Sequence, residues 1–72
     1  MEREISRTRC AGDDGSSLVV VEYQHVERRR TESGERSYPG ARRWALASGE
    51  AVRPLGDGVW EVIATGEVLR RA

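Results

Sequence analysis

Glycine punctuates the second half of this chain at intervals too short for helices. Gly40, Gly49, Gly58 and Gly66 recur at every eighth or ninth position. An amphipathic helix in a domain needs about eight or more residues free of such breakers. Short strands fit instead. Residues 42–47 (RRWALA), 51–55 (AVRPL), 59–64 (VWEVIA) and 68–71 (VLRR) are separated by Ser48-Gly49-Glu50, Asp57-Gly58 and Thr65-Gly66-Glu67. Asp-Gly is a strong short-range hairpin signal. Pro54 cannot donate a ladder hydrogen bond, so its position belongs at an edge or a strand end.

Two of these turns look like copies of one unit, ASGEAVR at residues 47–53 and ATGEVLR at residues 64–70. Aligned at their glycines, Leu46 falls on Ile63, but Trp44 falls on Glu61 and Trp60 falls on Arg43. A one-residue slip turns every side chain to the opposite face, so a duplicated site is excluded. What repeats is the turn: a hydroxyl residue, a glycine free to take positive φ, and a glutamate in solvent. Ser33-Gly34-Glu35 is a third copy, read as punctuation within a loop.

In the first half, residues 18–28 (LVVVEYQHVER) carry the strongest strand signal. Val19, Val21, Tyr23 and His25 share one face, and Leu18, Val20, Glu22, Gln24 and Val26 share the other. The start reads as buried on both faces and the end as half-exposed. Residues 3–11 read as a polar edge strand, followed by a turn about Asp14-Gly15. Residues 29–41, with Gly34, Pro39 and Gly40 and no periodicity, read as a mobile loop with room for a helical turn. The expected fold is all-β: one domain over residues 1–72, a small antiparallel meander of five to six short strands forming a barrel or a strongly bent sheet.

Seventy-two residues supply about ten to twelve large core side chains, which favours support from a partner or a dimer interface. A third of the residues are charged, yet the net charge is zero, which argues against a strong non-specific nucleic-acid binder and leaves room for a local patch. All 12 basic residues are arginine, and Lys, Asn and Phe are absent. Those absent residues have AT-rich codons, so the pattern points to a high-GC bacterium before it points to arginine-specific chemistry. The single cysteine, the lack of a basic-then-apolar N-terminus and the lack of an apolar run of about 20 residues make a soluble cytoplasmic protein, with no membrane, the expectation.

Several chemistries are excluded. One His and one Cys cannot make a zinc site, and Asp13-Asp14 lacks the spaced acids of a calcium loop, so no metal and no cofactor are expected. In a hairpin about Asp14-Gly15, Cys10 lies opposite Val19 or Val20, and His25 lies opposite residue 4 or 5. The two are then roughly 17–20 Å apart, too far for a dyad. The glutamates are scattered among arginines, and no Gly-rich phosphate loop is present. An enzyme is not expected. The positive feature is a set of arginines beside aromatics: Arg28, Arg29, Arg30, Arg36, Tyr38, Arg42 and Arg43 flank or occupy residues 29–41 and form a candidate binding rim. Two functions suit it. The favoured one is a protein-interaction module that binds an unknown protein or forms a homodimer. The alternative is single-stranded nucleic-acid binding through the rim, against which Glu27, Glu32 and Glu35 weigh.

The pattern Trp44-x-Leu46-x-Ser48-Gly49-x-x-Val52, then Asp57-Gly58-x-Trp60-x-Val62, then Thr65-Gly66-x-x-Leu69-x-Arg71, with Cys10 shortly before Asp14-Gly15, resembles small uncharacterised all-β proteins of proteobacteria. The resemblance spans about half the chain and rests on turn glycines and core apolar residues. It implies a β-meander in a bacterial cytoplasm and no activity.

Overall fold

The computed structural model describes the backbone of residues 1–72 and every side chain but that of residue 39. Six strands follow in chain order: β1 (Glu2–Ala11), β2 (Ser17–Thr31), β3 (Gly34–Leu46), β4 (Ala51–Gly56), β5 (Val59–Val62) and β6 (Val68–Arg71). Each pairs antiparallel with the next, and β6 returns to β1, so the meander closes into a ring. The fold class is the expected one. Among the described residues there is no helix, and so none long and apolar enough to cross a membrane.

The turns behave as their composition demands. Gly34, Gly49 and Gly66, the middle residues of the three hydroxyl-Gly-Glu triplets, take φ of +117°, +105° and +78°. That region is open to glycine and costly for other residues. The one-residue shift between the two longer copies is also real: Leu46 is 4% exposed inside the ring, whereas Ile63 is 59% exposed outside it.

The ring is irregular because its seams differ in length. β2 and β3 pair from Val20↔Leu46 to Thr31↔Gly34, whereas β6 meets β1 only at Cys10↔Arg71 and Ala11↔Arg70. A further bond runs from the Ala72 N–H to the Arg9 carbonyl at 3.0 Å. β4 meets β3 only at Val52 and Ala51, so Pro54, which pairs with Trp60 on β5, falls where β4 has no β3 neighbour to donate to.

Two sequence expectations need correction. Residues 29–41 are not a loop: β2 runs on to Thr31, Glu32 and Ser33 make the turn, and β3 begins at Gly34. The segment lacks alternation because none of its described side chains is buried, and its shape comes from ladder bonds instead. β1 is not an edge strand either, since β2 covers it along its length and β6 joins it at Cys10 and Ala11.

The core lies inside the ring. Cys10, Val20, Leu46, Val52, Trp60, Val62 and Leu69 form one buried cluster, with Leu18 and Trp44 packed against it. Each large member contributes about 1.5–3 kcal/mol of apolar burial. Val21 and Ala45 are opposite each other on the outer face and are also buried, at 0% and 2% exposure. The start of β2 is therefore covered on both faces, as expected. The molecule measures 54 × 21 × 20 Å, with a radius of gyration of 15.1 Å. A compact chain of this length has about 11 Å. The excess is the far half of the β2–β3 hairpin, which projects from the ring as an arm.

Candidate interaction arm

The arm starts where the ring's strands lose their neighbours. β1 follows β2 as far as Glu2↔His25, and Met1 and Val26 then exchange both backbone bonds at 2.5 and 3.2 Å. Two bulges mark this root. Ile5 is an extra residue on β1 between Glu4↔Tyr23 and Ser6↔Glu22. On β3, Gly40 and Ala41 stand against the single residue His25. Bulges bend a strand and raise its twist, which turns the arm away from the ring. Glycine leaves room at position 40, where an added Cβ would lie a tight 3.2 Å from the His25 carbonyl oxygen and 3.3 Å from its Cδ2, so that His25 would have to shift by a few tenths of an ångström.

Ion pairs hold the root. Arg43 donates two hydrogen bonds to the Glu2 carboxylate, at 2.5 and 2.8 Å, and its guanidinium lies 4.3 Å over the Tyr23 ring. The Arg43 bond holds the Glu2 carboxyl below the ordinary carboxylate range and raises the Arg43 guanidinium in turn. One strand away, Glu22 accepts from Ser6 Oγ at 3.0 Å and from Arg42 at 3.3 Å.

Beyond the root the arm is two strands and nothing more. The pairs are Glu27↔Tyr38, Arg28↔Ser37, Arg29↔Arg36, Arg30↔Glu35 and Thr31↔Gly34. Side chains alternate, so Glu27, Arg29, Arg36 and Tyr38 share one face, and Arg28, Arg30, Glu35 and Ser37 share the other. Arg29 pairs with Glu27 at 3.2 Å, and Arg28 reaches Glu35 at 3.8 Å. Arg36 donates to Ser33 Oγ at 3.4 Å. Arg29 and Arg36 are like charges directly opposite, which weakens the ribbon. Arg28, Arg29, Arg30, Gly34 and Glu35 line a shallow crease near the tip.

The expected rim is thus split. Arg28, Arg29, Arg30, Arg36 and Tyr38 come together on the arm, divided between its two faces. Arg42 and Arg43 stay at the root, engaged with Glu22 and Glu2. Arg42 lies opposite Gln24, roughly 13 Å along β2 from Arg28. His25 pairs with Glu2 and Cys10 with Leu18, a separation of roughly 23 Å along β2, longer than expected and again excluding a dyad. Sequence reasoning missed the root carboxylates Glu2 and Glu22 and the strand character of the arm. The third Ser-Gly-Glu triplet was the available signal, because the other two copies both turn between strands.

Comparison of the chain with protein-family models, with curated proteins and with solved structures yields no match.

Proposed function

We propose that the chain is a non-enzymatic protein-interaction module of a bacterial cytoplasm, and that its β2–β3 arm is the binding element, engaging a protein partner or a second copy. The arm carries this reading. A two-stranded ribbon in water is marginally stable and gains from a third strand or a packed face. The unpaired edges of such a ribbon are templates for strand addition. The zero net charge of the chain leaves no long-range repulsion against a second copy.

Single-stranded nucleic acid fits this geometry less well. Such sites combine a continuous basic groove with stacking aromatics. The arm offers one exposed aromatic, Tyr38, and its four arginines are interleaved with Glu27, Glu32 and Glu35.

The test compares the chain with a variant in which residues 28–37 are replaced by Asn-Gly, a two-residue hairpin turn. All buried core residues lie outside the exchanged segment. The intact chain is expected to self-associate in light scattering or to retain a protein partner, and the trimmed variant is expected to do neither while keeping its tryptophan fluorescence. An intact chain that is a strict monomer at high concentration and retains no partner overturns the reading. So does a trimmed variant that associates as the intact chain does.

A further inference from the structure

Resting on the arm as the binding element, we infer that the arm accepts an acidic extended strand along the β2 edge, hydrogen-bonded to Arg28 and Arg30. The backbone sets the geometry. Val26 spends both its N–H and its C=O on Met1, so those groups point to the β1 side of β2. Backbone groups alternate sides along a strand, and the pairing of β2 with β3 is unbroken from Val26 to Thr31. The N–H and C=O of Arg28 and Arg30 therefore point to that same side, beyond the last described β1 pair. Those of Arg29 point the other way and bond to Arg36.

The opposite edge of the arm is less suited. By the same alternation Glu35, Ser37 and Pro39 present their backbone outward on β3, and proline has no N–H to give. The β2 edge has its full set of donors.

Charge selects the occupant. Three consecutive arginines lie on the β2 edge. No carboxylate lies within ion-pair distance of Arg30 among the described residues, and the one beside Arg28, on Glu35, is 3.8 Å away with both side chains more than half exposed. The arm holds four arginines against three glutamates, with Arg29 opposite Arg36. An incoming antiparallel strand places alternate side chains opposite Arg28 and Arg30, on the face with the crease. Carboxylates at positions i and i+2 meet both guanidinium groups, and a residue between them faces Arg29. The partner is thus a protein segment in extended conformation with acids two residues apart.

The probe is a blocked peptide of about seven residues alternating Glu and Val, a length matched to a typical strand. Its control carries Gln in place of Glu. In nuclear magnetic resonance with hydrogen exchange, the Glu peptide is expected to slow exchange most at the Arg28 and Arg30 amides, which gain new bonds, and less at the Arg29 amide, which is already bonded to Arg36. Its affinity is expected to fall with salt and to exceed that of the Gln peptide by about tenfold, the size expected from two exposed ion pairs. The double substitution R28E/R30E is expected to reject the Glu peptide and accept a Lys-Val peptide. The inference is overturned if the Glu peptide does not bind at low salt, if the Gln peptide binds equally well, if protection appears at Glu35 and Ser37 instead, or if a single-stranded oligonucleotide binds the arm more tightly. Should the peptide fail while trimming the arm still abolishes association, the acidic-strand assignment falls and the arm's binding role stands.

Discussion

The carboxylate of Glu67 accepts a hydrogen bond from the backbone N–H of Asp13 at 3.1 Å, tying the last turn of the chain to the first across 54 residues. This bond reinforces a β1–β6 seam that has only two residue pairs. Gly12 makes room for it, since a Cβ there would lie 2.5 Å from Glu67 Oε2. Gly12→Ala is expected to push the carboxylate off Asp13 and cost about 0.5–1 kcal/mol, a few degrees in Tm. Glu67→Ala is expected to cost a similar amount. In the Glu67→Ala background, Gly12→Ala is expected to cost less than it does alone, because the Glu67 obstruction is gone and only Ser16 Oγ, 3.0 Å from the added Cβ, must give way. Urea denaturation of the four proteins checks the cycle.

Leu69 is fully buried in the short last strand and packs with Trp60, its register partner. Leu69→Ala leaves a cavity worth about 2–5 kcal/mol. A chain of this size has about 4–11 kcal/mol in all. The variant is expected to lose a large share of its stability, with a red-shifted tryptophan emission at 37 °C and a much lower urea midpoint.

Arg29 and Arg30 are neighbours with opposite backbone roles. Arg29→Pro removes an N–H bonded to β3 and is expected to melt the outer arm, with fast exchange at residues 28–37. Arg30→Pro removes an N–H that points outward and is expected to leave the β2–β3 ladder intact while abolishing binding of the Glu-Val peptide. Equal damage from both substitutions would contradict the alternation deduced from Val26.

Three carboxyls are held below their ordinary range, each first by a hydrogen bond: Glu2 by Arg43, Glu4 by Arg7 and Asp14 by Ser16. Folding favours their ionised forms. Their contribution is therefore in place above the unfolded carboxylate pKa and is lost as pH falls through the lower folded values. The urea midpoint is expected to be flat from neutrality to about pH 5 and to drop below it. Glu2→Gln is expected to lower the midpoint at neutral pH and to make the acid drop shallower.

Cys10 is 1% exposed, and burial pushes its thiol pKa up. The folded protein is expected to react with a thiol reagent only through opening, at a rate that climbs steeply with urea. Fast labelling in native buffer would show that the β1–β6 seam opens readily.

How much was legible follows from where each signal resides. The period-two pattern of residues 18–21 and the turn glycines are local properties. Val20 and Val21 are buried on opposite faces as expected, and the one-residue shift read from Trp44 on Glu61 and Trp60 on Arg43 agrees with Leu46 inside and Ile63 outside. The arm was not readable. Residues 27–38 bury neither face, so the alternation that marks a strand has nothing to act on. The carboxylates that hold Arg42 and Arg43 lie 20 and 41 residues away in sequence, beyond any local pattern.

Local chemistry already sets the meander of strands, most of its turns, and which residues of a strand share a face. Glycine backbone freedom and side-chain alternation act over a few residues and need no partner. Tertiary pairing alone makes β2 and β3 outrun the ring and turns the backbone groups of Arg28 and Arg30 to the side of β2 that Val26 uses for Met1. Those outcomes depend on ladder hydrogen bonds between residues distant in sequence, and such bonds form regardless of which side chains the strands carry.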